Sequence, residues 1–155
     1  MLIHLLIPLI LAAPNTLQGR VTAVRDGDTI GVYDGKSETL VRLVGIDAPE
    51  YDQAFGTKAK QALASKVFGQ QVRVEWVEKD KHDRILGKVM LGNRWINREM
   101  VAGGFAWQYK LYSSDETLAK AEKDARAAKS GLWADKDPIA PWDFRHAKPP
   151  RLERK

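Results

Sequence analysis

Two Asp-Gly dipeptides, Asp26-Gly27 and Asp34-Gly35, constrain this 155-residue chain more than any other feature. An Asp-Gly pair reaches positive φ at little cost, so it turns a chain sharply back on itself. Upstream of the first pair, Leu17, Gly19, Val21 and Ala23 alternate imperfectly with polar residues, and Val24 closes the run. Between the pairs lie Asp28, Thr29, Ile30, Gly31, Val32 and Tyr33; beyond the second comes the apolar segment from Val41 to Val44. Short runs of β-branched and aromatic residues bounded by such turns are strands. The chain therefore opens as three strands in a meander, broken at Gly45.

The remaining elements follow from periodicity. Ala59, Ala62, Leu63 and Val67 stand near helical spacing within Thr57 to Phe68, and Gly69 occupies the position of a C-terminal cap. Gln71 to Glu78 alternates Val72, Val74 and Trp76 against Arg73 and Glu75, which predicts a fourth strand. The polar run Lys79 to Arg84 is a loop, and Ile85 to Leu91 is a fifth strand closed by Gly92-Asn93. Asn97 to Ala102 reads as a short helix stopped by Gly103-Gly104. A longer helix is expected next, with Ser113 and Glu116 as a capping box and Leu118, Ala121, Ala125 and Ala128 on one face. Its other face is charged, comprising Lys120, Glu122, Lys123, Asp124 and Lys129. The closing segment from Trp133 holds four prolines and is expected to wrap the surface, with disorder from Pro149 onward. Trp95, Trp107, Trp133 and Trp142 are read as core and tail anchors.

Composition narrows the chemistry. The chain has no cysteine, which excludes disulfides, thiol nucleophiles and cysteine-ligated zinc. Its net charge of +5 favours a polyanionic partner. No HExxH, GxSxG, GxxxxGK[ST] or GxGxxG motif is present, and His4, His82 and His146 are scattered. The apolar run Leu2 to Ala13 has the length of a signal-peptide core and ends in small residues; the alternatives are an uncleaved anchor or a misassigned start codon.

The stretch VRLVGIDAPE, Val41 to Glu50, carries Arg42, Asp47 and Glu50 where a strand passes into a Pro-stiffened loop. A guanidinium and two acids in such a place are what metal-assisted phosphate chemistry requires. If the first three strands form a meander, Asp28 at the start of the second lies beside Asp47 at the end of the third. Two carboxylates, a backbone carbonyl from the bend and several waters make a partial cage for a hard cation. Glu50 is placed to handle an attacking water, Arg42 to fork a phosphate oxygen, and Arg84 to complete the clamp. Each has an ordinary alternative, Asp28 capping its own turn and Arg84 pairing with Asp80 or Asp83. Tyr109 and Tyr112 could stack on a base or bond a phosphate.

With DGDT at Asp26 to Thr29, RLVGIDAPE at Arg42 to Glu50, FGTKAKQALA at Phe55 to Ala64 and DKHDRILGKV at Asp80 to Val89, the chain resembles the staphylococcal nuclease-like (thermonuclease) family. The segments MVAGGFAWQY and KSGLWADKDPIAPWDFR resemble that family's closing helix and tail. The resemblance implies an α+β, mainly β architecture: a five-stranded OB-fold Greek-key barrel with three α-helices. It implies a nuclease domain over residues 15–145, preceded by the leader at 1–14 and followed by a basic disordered tail at 146–155. It also implies a calcium-dependent hydrolase acting on DNA and RNA, leaving 3′-phosphate and 5′-hydroxyl ends. Asp28 and Asp47 would be side-chain calcium ligands and Ala48 would offer its carbonyl. Arg42, Glu50 and Arg84 would be catalytic; Tyr109 and Tyr112, read from the residues themselves, are the candidate substrate-binding side chains. A secreted or periplasmic monomer without a stable protein partner is expected. The rival expectation is a catalytically silent nucleic-acid-binding OB module. The chain departs from the family in Ala48, where the founding member has Thr. It departs again in DKHDR, where a D-[KR]-Y-G-R loop is common, so that Asp83 could compete for Arg84, and in a shorter loop after Glu50.

Overall fold

The computed structural model describes residues 13–147. Strand β1 (Asn15–Asp26) is followed by β2 (Thr29–Tyr33), β3 (Glu38–Leu43) and the two-residue β4 (Ile46–Asp47). Helix α1 (Gly56–Val67) precedes β5 (Gln71–Lys79), β6 (Ile85–Leu91) and the short β7 (Arg94–Trp95). Then come α2 (Ile96–Ala102), β8 (Trp107–Gln108), α3 (Glu116–Ala127), a 3-10 turn (Gly131–Ala134) and α4 (Pro141–Ala147).

The meander expected from the two Asp-Gly turns is present. β1 pairs antiparallel with β2 and β2 with β3, with Thr29 opposite Arg42. β1 is long enough to serve two neighbours, its first half pairing with β5 and its second with β2. β5 pairs with β6, and a parallel pairing of β3 with β6 closes the barrel, with Val41 against Ile85 and Leu43 against Gly87. The result is a closed five-stranded barrel, which leaves few sheet edges exposed. Gly87 sits at the closure because a Cβ there would collide with the Val74 and Val41 side chains.

The alternating apolar residues point inward as their spacing requires: Val21, Ile30, Val32, Val41, Leu43, Val72, Val74, Ile85 and Val89 are all buried. α1 adds Ala59, Leu63 and Val67, α2 adds Ile96, Met100 and Val101, and α3 adds Leu118 and Ala121. Asn97 is fully buried between barrel and α2; its Oδ1 accepts from Val89 N–H at 2.9 Å and its Nδ2 donates to Val44 and Gly87 carbonyls at 2.9 and 3.0 Å. A smaller aromatic cluster of Trp107, Trp133, Ala125, Leu132 and Ala140, joined by Phe55 and Trp142, holds the C-terminal segment. The tryptophans are anchors, as expected.

Four α-helices are found among the described residues where three were expected. The four prolines of the closing segment predict a wrap over the surface. Pro141 instead stands at the first position of α4, where its missing N–H costs nothing and its fixed φ suits a helix. The predicted tail starts at residue 146, yet α4 runs through Ala147; the rest of that tail and most of the leader lie outside the described residues. The capping box at Ser113 is also corrected. Asp115 is the N-cap, its Oδ1 accepting from Leu118 N–H at 3.0 Å, while Ser113 Oγ accepts from Asp115 N–H at 3.3 Å. Asp at N-cap satisfies an orphan donor directly, so the helix starts later than Ser113 would set it. Ala128, expected on the buried face, is the exposed C-cap. Glu122, expected on the solvated face, is buried because its Oε2 accepts the Gln108 N–H of β8 at 2.6 Å and its Oε1 takes Arg126 at 2.7 Å.

Candidate active site

The site is built where β2, β3 and β4 meet. Asp28 follows the first turn, and its own N–H donates to Asp26 Oδ1 at 3.0 Å. The Asp28 carbonyl accepts Leu43 N–H at 2.8 Å, which sets the start of β2 against the end of β3. Ala48, twenty residues on, donates its N–H to Asp28 Oδ2 at 2.7 Å. Asp47 is brought in by β4, whose pairing with β8 places it opposite Trp107. Both acids are buried, Asp28 at 5% exposure and Asp47 at 1%.

Arg42 ties them together. Its Nη1 donates to the carbonyls of Leu43 at 2.9 Å and Ile46 at 2.8 Å. Its Nη2 donates to Asp47 Oδ1 at 3.0 Å and lies 3.1 Å from Asp28 Oδ2. One guanidinium thus holds the bend after β3 and pairs both carboxylates. The juxtaposition of Asp28 with Asp47 was legible from the meander; the bridging by Arg42 was not.

Glu50 stands beyond Pro49 in a loop knotted by Gln53. The Glu50 N–H donates to Gln53 Oε1 at 3.0 Å, and its carbonyl accepts Gln53 N–H at 2.9 Å. Gln53 Nε2 donates to the Ile139 carbonyl at 2.6 Å, which ties this loop to the approach of α4. Gly56 is required at its end, since a Cβ there would strike the Glu50 carbonyl.

Arg84 comes from the loop before β6, and the parallel β3–β6 pairing carries it to the same edge as Arg42. Its Nε donates to Asp80 Oδ2 at 2.7 Å and its Nη1 reaches Thr29 Oγ1 at 3.5 Å. Of the two pairings open from sequence, Asp80 holds it. Asp83 is engaged elsewhere, with Lys79 at 2.9 Å, and accepts the left-handed backbone that Gly would take more easily, at φ 60. Burial pushes the Asp80 carboxyl up, but the N–H and guanidinium of Arg84 and the N–H of His82 outweigh it and hold its pKa below the usual value.

Tyr109 is bound to the bend after β3 through its N–H, which donates to the Gly45 carbonyl at 2.9 Å. Its ring lies parallel to Trp142 at 5.5 Å and edge-on to Tyr112 at 4.8 Å, with Tyr112 exposed at 76%. The two tyrosines therefore continue a short aromatic ladder that begins on α4.

Two residues of the site escaped sequence reading. Asp26 reads as a turn residue, but burial, and then the charge of Asp28, raise its pKa from 3.8 to about 7. Arg145 is the other. From α4 its Nη1 and Nη2 donate to Asp47 Oδ1 and Oδ2 at 3.1 and 2.8 Å, and Nη1 donates to Glu50 Oε1 at 2.7 Å. The only signal for it was the spacing in PWDFR, which puts Trp142 and Arg145 one turn apart on a helix begun by proline. Hydrogen bonding to Asp47 raises the Arg145 pKa further above its usual value. Burial likewise pushes the Asp47 carboxyl up, opposed by Arg145 and Arg42 and reinforced by Asp28.

Among the described residues no three His, Cys, Asp or Glu side chains form a ready-made metal cage. The donors present are nonetheless those of a hard cation. Asp28 and Asp47 are carboxylates that both meet one guanidinium nitrogen, so their oxygens converge on a single point, and hard cations are held by such oxygen ligands. Calcium and magnesium fit this set, and the soft-ligand metals do not.

A closed five-stranded barrel with helices packed around it is the architecture of an OB-fold. Residues 40–135 match the family described as staphylococcal nuclease homologue. The chain is 42% identical over 133 residues to an uncharacterized endonuclease of Escherichia coli, covering 85% of this chain and 87% of that protein. It is 43% identical over 127 residues to an uncharacterized endonuclease of Haemophilus influenzae, covering 81% and 71%. With a micrococcal nuclease of Shigella flexneri it shares 40% identity over 141 residues, covering 84% and 81%. The chain belongs to the staphylococcal nuclease homologue family, whose class is that of phosphodiester hydrolases. The family match takes in Arg42, Asp47, Glu50 and Arg84, while Asp28 and Arg145 fall outside its span.

Proposed function

We propose that the protein is a calcium-dependent, sugar-nonspecific nuclease that hydrolyses phosphodiester bonds of DNA and RNA to 3′-phosphate and 5′-hydroxyl ends. The observation that carries this reading is the sharing of Arg42 Nη2 by Asp28 Oδ2 and Asp47 Oδ1, at 3.1 and 3.0 Å, one loop away from Glu50. Asp28 and Asp47, with the carbonyl of Ala48, would hold the cation. When bound, such a cation offers Lewis-acid stabilisation of phosphate charge.

The chain's own groups account for the rest. Glu50 orients the attacking water and takes its proton as the new P–O bond forms; the P–O5′ bond breaks and the departing oxygen takes a proton from solvent water to become the 5′-hydroxyl. Arg84 offers planar donors to the phosphate oxygens, where charge builds in the transition state, and Arg42, whose Nη1 and Nη2 serve two carbonyls and two carboxylates, would turn an N–H to them in exchange for a carboxylate partner. Tyr109 and Tyr112 present rings on which an adjacent base can stack. The net charge of +5 favours approach of a polyanion to the protein. Export, read from the apolar run Leu2 to Ala13, belongs to the same proposal and is tested by N-terminal sequencing of the mature protein.

The test is a cleavage assay of DNA and RNA with calcium, magnesium, zinc or chelator, with analysis of product ends. Cleavage in calcium that stops with chelator and leaves 3′-phosphates is expected. Activity indifferent to chelation, or supported by zinc alone, would overturn the proposal. A mobility shift in calcium without cleavage would favour a silent binding module instead.

A further inference from the structure

Arg145 enters the site from α4, 98 residues beyond Asp47. Its guanidinium meets Asp47 as a fork on both oxygens, at 3.1 and 2.8 Å, and reaches Glu50 Oε1 at 2.7 Å. Arg42 Nη2 also donates to Asp47 Oδ1 at 3.0 Å, so that oxygen accepts from two guanidinium groups and Oδ2 from Arg145. The partners differ in freedom. The Asp47 side chain is 1% exposed and that of Arg145 is 38% exposed, so the acid is fixed and the arginine is the member able to leave.

The helix that carries Arg145 is anchored without it. Trp142 stacks on Tyr109 at 5.5 Å and meets Trp107 edge-on at 5.4 Å. Pro141 is buried, and Gln53 Nε2 holds the Ile139 carbonyl at 2.6 Å. The long arginine stem can therefore rotate its charge toward water while α4 stays docked.

A divalent cation that takes an Asp47 oxygen would find both lone pairs of Oδ1 occupied by N–H groups, and on either oxygen it would stand a few ångströms from the like charge of Arg145. We propose that Arg145 is the resident counter-cation of Asp47 and Glu50, and that a divalent cation can bind Asp47 only as Arg145 releases it. This inference rests on the reading of Asp28 and Asp47 as the cation ligands. Arg145 thus acts as a positioning residue: it holds Asp47 and Glu50 in place before the cation arrives and lowers the affinity of the site by competing for it.

Calorimetric titration of calcium into the metal-free protein tests this without recourse to activity. Removing the competitor in Arg145→Gln is expected to tighten calcium binding roughly fivefold or more, on the scale of a partly exposed forked ion pair. Arg145→Lys, which keeps a charge but cannot fork both oxygens, is expected to fall between. Calcium binding that is unchanged or weaker in Arg145→Gln would overturn the competition, since a merely structural arginine would not tighten binding when lost. Asp47→Asn separates the two ideas. Loss of calcium binding in that variant supports the ligand reading whatever Arg145→Gln does, whereas wild-type calcium binding by Asp47→Asn would overturn that reading and the competition with it.

Discussion

Asp28 and Ala48 are joined across twenty residues of chain by a 2.7 Å hydrogen bond from the Ala48 N–H to Asp28 Oδ2. One carboxylate thereby secures the bend that carries Asp47 while presenting charge to Arg42. These duties can be separated. Asp28→Asn keeps an acceptor for the Ala48 N–H and loses the charge, so its stability should stay within about 1 kcal/mol of the parent. Asp28→Ala strands a buried N–H and should cost about 1–3 kcal/mol more. Both should lose nuclease activity by about a hundredfold or more. Urea unfolding beside cleavage rates checks this; equal stability of the two variants would show that the bond does not hold the bend.

Arg42 and Arg84 should part company in stability although both are expected to face the phosphate. Arg42 has a side chain 13% exposed and serves two carbonyls and two carboxylates, so Arg42→Ala leaves buried Asp28 without its guanidinium and Asp47 with Arg145 alone, and should cost about 3–5 kcal/mol. The Arg84 side chain is 27% exposed and pairs chiefly with Asp80, so Arg84→Ala should cost about 1 kcal/mol or less. Cleavage should fall by about 10²–10³-fold in each. Thermal unfolding and rate measurements on the pair decide it, and a silent Arg84→Ala would remove Arg84 from the site.

Asp26 predicts a pH dependence in the metal-free protein. Its carboxyl titrates at 3.8 ordinarily and at about 7 in the folded chain. Between those values the folded state keeps a proton that the unfolded state has lost, so stability falls as pH rises through the window and the full penalty is present above about 7. Asp26→Asn retains an acceptor for the Asp28 N–H and removes the penalty. Its stability gain over the parent in chelator should be small near the lower end of the window and reach on the order of 2–4 kcal/mol above the upper end. Denaturant unfolding at about pH 5 and about pH 8 measures it; an equal gain at both would place the cause outside Asp26 titration.

What the sequence discloses and what it hides follow physical range. The Asp-Gly turns and period-two alternation are properties of a few neighbouring residues, so β1, β2, β3, β5 and β6 were legible, and with them the meeting of Asp28 and Asp47. The N-cap of α3 shows the limit even locally: Ser113 has capping-box spacing with Glu116, but Asp115 takes Leu118 N–H more directly. Glu122 shows it at longer range, because a charged helix face looks solvated until β8 brings Gln108 N–H against it.

By itself the sequence determined the five barrel strands, the turns and the roster of acids and arginines, because backbone preference and alternation act over a few residues; the two-residue strands β4, β7 and β8 are too short to show alternation. Which charge meets which was decided by the tertiary structure. The β3–β6 closure brought Arg84 to the rim, a buried bend turned Arg42 onto two acids, and an aromatic cluster docked α4 so that Arg145 reaches Asp47. Those pairings depend on chain closure over tens of residues and on burial that strengthens each charge, and neither leaves a periodic trace in the sequence.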